Sequence, residues 1–309
     1  MDTRPIGQLR VSTVGLGCNN FGWHLDEPAS RKVVHAALDA GITHFDTAEV
    51  YGDGESERML GRALGPRRAD VVIATKFGNR TDARPETVVR SAEASLQRLG
   101  TDTIDLYYLH KPDPATPIAD TLGALSRLVE AGSVREIACS NFSADQLREA
   151  EAAAVGARFV ANQGEYSLLH RDPETDGGLD ACRALGLAYV PYFPLKSGLL
   201  TGKYRRGTDA PAGTRLAGDT AGSAFQSMGE RLLTDANLDA VERLVGWAEA
   251  HGRTILDVAF AFLLARPVVA SVIAGATRPE QIAANVAAAA LPLSEADVQE
   301  IEALLDATA

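Results

Sequence analysis

Short apolar segments alternate with amphipathic ones along most of the chain. Between the apolar segments, hydrophobic residues recur at helical spacing, as at Val88, Ala92, Leu96 and Leu99. Strict alternation of strand and helix predicts parallel strands joined by crossover helices, and eight repeats favour a closed (β/α)8 TIM barrel over an open sheet. The eight predicted strands are Val14 to Gly17, Thr43 to Asp46, Val71 to Thr75, Ile104 to Leu109, Glu136 to Ser140, Phe159 to Asn162, Ala188 to Tyr192 and Ser271 to Ala274.

Three segments fall outside this alternation. The stretch TRPIGQLRVS is typical of a small β-hairpin with its turn near Gly7, and we expect it to cap the bottom of the barrel. A helical extension follows the eighth strand. The polar stretch from Lys203 to Thr234 lacks periodicity and follows the seventh strand, which puts it on the face where such barrels hold their sites. We interpret residues 1–309 as one domain.

Composition excludes several classes of partner. The net charge is −11 and the basic residues are scattered, which argues against nucleic acid or an anionic membrane as a partner. The longest apolar stretch, Val258 to Ala265, is too short for a membrane span. Three cysteines without a C-x-x-C motif and six histidines without metal-ligand spacing predict neither a disulfide framework nor a metal site. The absence of a signal peptide at the N-terminus leads us to expect a cytoplasmic protein.

Candidate chemistry lies at the ends of three consecutive strands. They end at Asp46, Lys76 and His110, and Tyr51 lies on the loop after Asp46. A tyrosine has a pKa of about 10 and needs a neighbouring cation to favour its phenolate form. We expect Lys76 to supply that cation, Asp46 to hold the lysine charged, and His110 to donate a hydrogen bond to a substrate oxygen.

Each of these residues alone has a more ordinary structural explanation. An aspartate at a strand end often caps a helix, a lysine is often a surface charge, and a lone histidine usually packs in a core. The glycines of GLGCNN and GLLTGKY fit neither a dinucleotide fingerprint nor a phosphate-binding loop. It is the placement of four such residues on one face that favours an active site.

The chain resembles the aldo-keto reductase family along nearly its whole length. The motifs that carry the resemblance occur in the family's order: GLG at 15–17, HFDTAEVYGDGESERMLGRAL, VVIATKFG, SLQRLGTDTIDLYYLHKPD, CSNF, NQGEYSLLHR, PYFPLKSGLLTGKY and GATRPEQIAAN. The resemblance implies that Asp46, Tyr51, Lys76 and His110 form a catalytic tetrad. It also implies NADPH as the cofactor and a small carbonyl or alcohol as the substrate.

Further residues match the positions at which this family holds its cofactor. The resemblance implies that Ser140, Asn141 and Gln163 bind the nicotinamide carboxamide and that Tyr192 stacks under the ring. Leu195 and Ser197 would lie along the pyrophosphate. The remaining positions match the adenosine clamp: Gly275, Thr277, Arg278, Gln281 and Asn285.

We expect an apolar substrate pocket formed by Trp23, Phe77, Phe142 and Phe193, the last in place of the small serine that is frequent in the family. The implied reaction is reduction of an aldehyde or ketone to an alcohol, or the reverse, with Tyr51 as proton donor. Two alternatives remain: a non-enzymatic NADP(H)-binding redox-sensing subunit, which the family also includes, and another barrel enzyme such as an isomerase. The tetrad disfavours the first and the cofactor motifs disfavour the second.

Overall fold

The computed structural model describes residues 1–211, 214, 216 and 229–306. Eight parallel strands form one sheet in the order β10-β3-β4-β5-β6-β7-β8-β9, and β1 and β2 form an antiparallel hairpin. The strands are β1 (Thr3–Ile6), β2 (Leu9–Ser12), β3 (Val14–Gly17), β4 (His44–Asp46), β5 (Val72–Phe77), β6 (Ile104–Leu109), β7 (Val134–Ser140), β8 (Phe159–Glu165), β9 (Ala188–Tyr192) and β10 (Val272–Gly275).

The sheet curls into a nearly closed barrel. The edge strands β9 and β10 approach each other where Tyr189 forms a parallel bridge with Val269. Two backbone hydrogen bonds support this bridge, one from Tyr189 N to Val268 O at 2.7 Å and one from Ala270 N to Tyr189 O at 3.0 Å. The predicted TIM-barrel class and its N-terminal hairpin are thereby confirmed.

Helices occupy the crossovers and the C-terminal extension. Those in the described residues are α1 (Glu27–Asp39), α2 (Glu55–Leu64), α3 (Pro85–Leu99), α4 (Ile118–Glu130), α5 (Ala144–Ala153), α6 (Asp172–Thr175), α7 (Gly178–Leu185), α8 (Asp235–Ala250), α9 (Ile255–Leu264), α10 (Pro279–Ala289) and α11 (Glu295–Asp306). Short 3₁₀ turns cover Tyr51–Gly54, Gly65–Asp70 and Lys196–Thr201. None of these helices is long and apolar enough to cross a membrane.

The hairpin fills the end of the barrel opposite the predicted site. Ile6, Leu9 and Val11 are buried in one cluster with the inward side chains of the strands, among them Val72 and Ala74. The guanidinium of Arg4 donates hydrogen bonds to the carbonyls of Leu264, Arg266 and Val269, at 2.7, 3.3 and 2.6 Å. Apolar packing therefore fills the bottom of the barrel, whereas the polar side chains of the predicted site lie at the top.

One helix was not predicted from the sequence. The apolar run Val258 to Ala265, considered above only as too short for a membrane span, lies almost wholly in α9, which begins with a capping box between Thr254 and Asp257. A helix that is buried on all sides has no polar face, so its sequence carries no amphipathic period. The polar stretch from Lys203 to Thr234 is described only in part, because residues 212, 213, 215 and 217–228 lie outside the described residues.

The contact between α2 and α3 depends on a missing side chain. A Cβ atom at Gly61 would lie 2.1 Å from the backbone oxygen of Leu99, whereas one at Gly246 in α8 would meet no atom of the described residues within 4 Å. We predict that Gly61→Ala lowers the free energy of unfolding by about 1–3 kcal/mol or more, because two backbones must separate. The matched change Gly246→Ala should raise it by roughly 0.5–1 kcal/mol. Denaturant unfolding measures both, and a Gly61→Ala protein as stable as wild type would contradict the close packing.

Candidate active site

Three neighbouring strands bring the four predicted catalytic residues together. Asp46 ends β4, Lys76 lies near the end of β5, and His110 directly follows β6. Tyr51 begins the 3₁₀ turn after β4, and its ring meets the His110 ring edge-on with centroids 6.1 Å apart. All four side chains therefore lie at one sector of the barrel mouth.

A buried ion pair forms the centre of this sector. The Lys76 ammonium is fully buried and lies 2.5 Å from Oδ1 of Asp46. It also donates to the backbone oxygen of Thr47 at 2.9 Å. Burial by itself lowers the pKa of Lys76, but the charges of Asp46 and Tyr51 outweigh it and raise the pKa above its ordinary value. Lys76 is thus a permanent cation beneath the mouth.

The balance of forces on Tyr51 differs from the sequence-based expectation. The Lys76 ammonium lies 5.3 Å from the centre of the Tyr51 ring and favours the phenolate, as expected. Burial has the larger effect, however, and the pKa of Tyr51 is raised above its ordinary value. Sequence reasoning missed this because it weighed the neighbouring charge without the loss of water. Tyr51 consequently holds its proton at neutral pH.

His110 is neutral in this environment. Burial lowers its pKa to about 3, and the positive charges of Lys76 and Lys111 add to that effect. A neutral imidazole has one N–H group and one acceptor nitrogen, so it can still donate one hydrogen bond. Asn141 Nδ2 holds the His110 backbone by donating to its oxygen at 3.0 Å.

The residues predicted to hold a carboxamide are joined by hydrogen bonds across β7, β8 and β9. Ser140 Oγ and the backbone N of Asn141 both donate to the Gln163 backbone oxygen, at 2.9 Å each. Tyr192 donates its hydroxyl to Oδ1 of Asn141, also at 2.9 Å. The four residues thus form one connected group at the mouth, partly through the Gln163 backbone.

Gln163 connects this group to the ion pair. Its Nε2 donates to Oδ2 of Asp46 at 2.8 Å, so Asp46 receives Lys76 on one oxygen and Gln163 on the other. A carboxylate only accepts, so this contact fixes which end of the Gln163 amide faces it. The side chain expected to bind the cofactor is therefore oriented by the tetrad.

Leu195 and Ser197 lie in a tightly wound turn after β9. Leu195 is partly buried against the core, and Ser197 has a φ of 56°. Among the described residues, the non-glycine positions with positive φ are Asp53, Asn141, Phe193, Lys196 and Ser197. All five follow the carboxyl ends of strands. Such conformations cost about 1–3 kcal/mol each and are typical of binding sites.

The predicted adenosine clamp surrounds the start of α10. Gly275 ends β10, and Arg278 is exposed at the residue before Pro279. Oε1 of Gln281 accepts from the backbone N of Thr277 at 2.7 Å and from that of Arg278 at 3.2 Å, which shapes the turn. Asn285 is almost fully buried one turn later. Arg278 thus presents an exposed guanidinium at this helix start.

The four candidate pocket residues differ in where the structure places them. Trp23 is 59% exposed and packs against the tilted ring of His24, and Phe193 is partly exposed in the turn after β9. Phe77 is fully buried and stacks on Tyr107, because side chains alternate along β5 and Lys76 takes the inward position. Phe142 packs edge-on against Phe159 in the same core. We therefore remove Phe77 and Phe142 from the expected pocket and retain the other two.

Sequence reasoning missed an ion pair beside Tyr192. Lys196, in the turn after β9, contacts Glu165 at the end of β8. The signal in the sequence was a charged residue between Leu195 and Ser197, where both neighbours were expected to contact the cofactor. Nothing in the sequence indicates that its partner is Glu165.

The arrangement fits an extended dinucleotide better than a metal ion. Its candidate binding groups follow β7, β8, β9 and β10, which are consecutive around the barrel, with the tetrad on β4 to β6 alongside. Amide, hydroxyl and aromatic groups at one end and a guanidinium at the other suit a nicotinamide dinucleotide with a charged adenosine end. Within the described residues, no group of three or more histidine, cysteine or acidic side chains is placed to hold a metal.

Two buried histidines make stability depend on pH. The pKa of His44, two residues before Asp46 on β4, is lowered by burial to about 4, and that of His110 to about 3. Unfolded histidines bind protons below about pH 6.5 and these two do not, so the free energy of unfolding should fall as pH drops from about 6.5 towards 4. Denaturant unfolding at several pH values measures the slope, which should be shallower in His44→Leu. An identical slope in that variant would contradict a neutral buried His44.

Comparisons with known proteins agree with this geometry. A family model described as Aldo/keto reductase family matches residues 13–306. An aldo-keto reductase of Schizosaccharomyces pombe whose name specifies NADP(+) is 33% identical over 98% of this chain and 91% of its own. A rice protein named as a probable voltage-gated potassium channel subunit beta is 34% identical over 99% and 97%. The solved structure of a glycerol dehydrogenase from Gluconobacter oxydans superposes with a TM-score of 0.83 at 29% identity, covering 99% of this chain and 96% of that one. The chain belongs to the aldo/keto reductase family, whose members are oxidoreductases that use nicotinamide cofactors.

Proposed function

We propose that the protein is an NADP(H)-dependent oxidoreductase that reduces an aldehyde or ketone to an alcohol, or runs the reverse reaction, with Tyr51 as the proton donor. The observation that carries this proposal is the buried Lys76–Asp46 pair beneath a protonated Tyr51, with a neutral His110 beside it. A proton donor, a fixed cation and a hydrogen-bond donor then surround the space into which a carbonyl oxygen would project.

Lys76 makes the proton of Tyr51 transferable. When Tyr51 gives its proton to a carbonyl oxygen, a phenolate develops in a buried place where an unpaired charge is costly. The Lys76 ammonium is already there, held by Asp46 and by the Thr47 carbonyl, so no group needs to reorganise as the charge forms. The hydride for the carbonyl carbon would come from a nicotinamide cofactor when one is bound.

His110 and the carboxamide group orient the reactants. With its low pKa, His110 remains a neutral donor that can direct a carbonyl oxygen towards Tyr51 without competing as an acid. Ser140, Asn141 and Gln163 would bind the carboxamide, and Tyr192 would support one face of the ring. The chain's own contribution is thus orientation and charge, while the hydride chemistry belongs to the cofactor.

A redox-sensing subunit is the second candidate, because relatives are named as probable potassium channel beta subunits. Such a protein would also bind a nicotinamide cofactor, so cofactor binding does not distinguish the two functions. Repeated turnover of a substrate distinguishes them, because only an enzyme would show it. Loss of nicotinamide absorbance with a panel of aldehydes, ketones, sugars and pyridoxal would support the enzyme, and binding without turnover across the panel would support the sensor.

We predict that Tyr51→Phe retains NADPH binding and loses turnover by roughly 10²-fold or more, because proton transfer is removed while packing is kept. Tyr107→Phe is the matched control: Tyr107 is fully buried in the core and its hydroxyl has no hydrogen-bond partner among the described residues. Its turnover should equal that of wild type. Comparable steady-state activity in Tyr51→Phe would refute the assignment of the acid.

We also propose a preference for NADPH over NADH that depends on Arg278. Its exposed guanidinium at the start of α10 can bind a 2′-phosphate through two parallel hydrogen bonds. A contact of this kind is worth about 1.5–3 kcal/mol, or roughly 10- to 100-fold in affinity. Arg278→Ala should therefore weaken NADPH and leave NADH nearly unchanged.

Titration of both cofactors against wild type and Arg278→Ala measures this preference. Arg10→Ala is the control, because Arg10 contacts Thr3 in the hairpin at the other end of the barrel. An unchanged ratio of NADPH to NADH affinity in Arg278→Ala would show that this arginine does not bind the 2′-phosphate.

A further inference from the structure

The turn after β9 has an unusual concentration of backbone strain. Phe193, Lys196 and Ser197 have φ values of 58°, 44° and 56°, in the left-handed region that favours glycine. Each such residue costs about 1–3 kcal/mol unless its surroundings hold it in place. Three backbone hydrogen bonds wind the turn: Lys196 N to Phe193 O at 3.1 Å, Gly198 N to Leu195 O at 2.8 Å, and Leu200 N to Leu195 O at 3.2 Å. Local hydrogen bonds of this kind are available to many loops, and they do not explain why three non-glycine residues adopt this conformation.

The ion pair between Lys196 and Glu165 supplies a non-local constraint. Lys196 Nζ contacts Oε1 of Glu165, and the two side chains are 9% and 30% exposed. The Lys196 ammonium also lies 5.6 Å from the centre of the Phe193 ring, at the other end of the strained segment. A lysine that is almost buried needs a partner charge, so leaving the turn would separate this pair. The turn is thereby fastened to β8.

The position of the pair relates it to the cofactor. Glu165 lies directly opposite Tyr192 in the pairing of β8 with β9, two residues beyond Gln163. The fastened segment begins right after Tyr192 and contains Leu195 and Ser197, the residues expected along the cofactor's diphosphate. Moving the turn would therefore displace groups expected to bind both the ring and the diphosphate.

We propose that the Lys196–Glu165 ion pair is a clamp that holds the turn at residues 193–198 in its left-handed, diphosphate-binding conformation before the cofactor arrives. This proposal rests on the proposed function for the identity of the ligand, a nicotinamide dinucleotide. Lys196 and Glu165 are positioning residues that act through Tyr192, Leu195 and Ser197. Because the diphosphate is common to NADPH and NADH, the clamp serves both cofactors equally.

A direct contact between Lys196 and the diphosphate is the rival explanation. In the structure the Lys196 ammonium is nearly buried and its charge is paired with that of Glu165, which favours the clamp. The two explanations predict opposite effects of Glu165→Gln. Loss of the clamp weakens cofactor binding, whereas release of an ammonium towards a diphosphate strengthens it.

The first experiment compares Lys196→Met, Glu165→Gln and the double variant by fluorescence titration with NADPH and with NADH. If the formed turn falls to about a tenth of the population, the apparent Kd for both cofactors rises about tenfold. Each single variant should show this rise, the double variant should be no worse than either, and the ratio of the two affinities should stay at its wild-type value. Tighter binding by Glu165→Gln, or a changed ratio, would overturn the proposal.

The second experiment needs no cofactor. Hydrogen exchange of the amides between residues 193 and 198 should be faster in both single variants of the empty protein than in wild type. Arg183→Met, which removes an exposed ion pair with Asp180 on α7, is the control and should leave these amides unchanged. Equal exchange in wild type and the clamp variants would overturn the proposal. A wild-type protein that binds neither cofactor would instead refute the proposed function. The hydrogen-exchange comparison would still test the clamp in that case, because it is made on the empty protein.

Discussion

The ion pair between Lys76 and Asp46 is the interaction on which the barrel mouth depends. A fully buried ammonium costs several kcal/mol unless its charge and its protons are satisfied. Asp46 and the Thr47 carbonyl provide this from β4 and the residue after it, and Gln163 on β8 holds the second oxygen of Asp46. The positions of β4, β5 and β8 relative to one another are thus tied to one charge. The same charge lowers the pKa of both Tyr51 and His110, while burial, which has the larger effect on each, keeps Tyr51 protonated and His110 neutral.

Packing and strain are divided between the two ends of the barrel. The lower end is filled by apolar side chains of the hairpin, which the Arg4 guanidinium fastens to the carbonyls around α9. The upper end contains the non-glycine residues with positive φ that occur in the described part of the chain. Strained backbone is tolerated where the remaining structure over-determines it. Because the lower end is well packed, the fold can retain these costly backbone conformations at the upper end, where the proposed cofactor site lies.

Much of this arrangement could be predicted from the sequence because its signals are local. The strand and helix periods predicted the barrel. The positions of polar side chains at strand ends identified Asp46, Lys76 and His110 as candidate site residues. Helix α9 was not predicted, because a helix that is buried on all sides has no amphipathic period. Phe77 was misplaced although the alternation of a strand that turns Lys76 inward must turn its neighbour outward. The pKa of Tyr51 was out of reach, since burial and a nearby charge oppose each other and only the fold sets their balance. The contact of Lys196 with Glu165 joins the turn after β9 to the end of β8, and no spacing in the chain encodes it.

The hydrogen bonds at the mouth also connect the residues proposed to hold the cofactor with those proposed for catalysis. Asn141 donates to the backbone of His110 and accepts the hydroxyl of Tyr192, so it connects His110 to the residue proposed to support the nicotinamide ring. Gln163 makes a second connection, because the carboxylate that fixes Lys76 also fixes the amide expected to meet a carboxamide. A shift of the carboxamide would therefore pull on Asp46, and a shift of Asp46 would change the charge beneath Tyr51. A substitution at Gln163 is therefore expected to disturb Asp46, and one at Asn141 to disturb both Tyr192 and the backbone of His110.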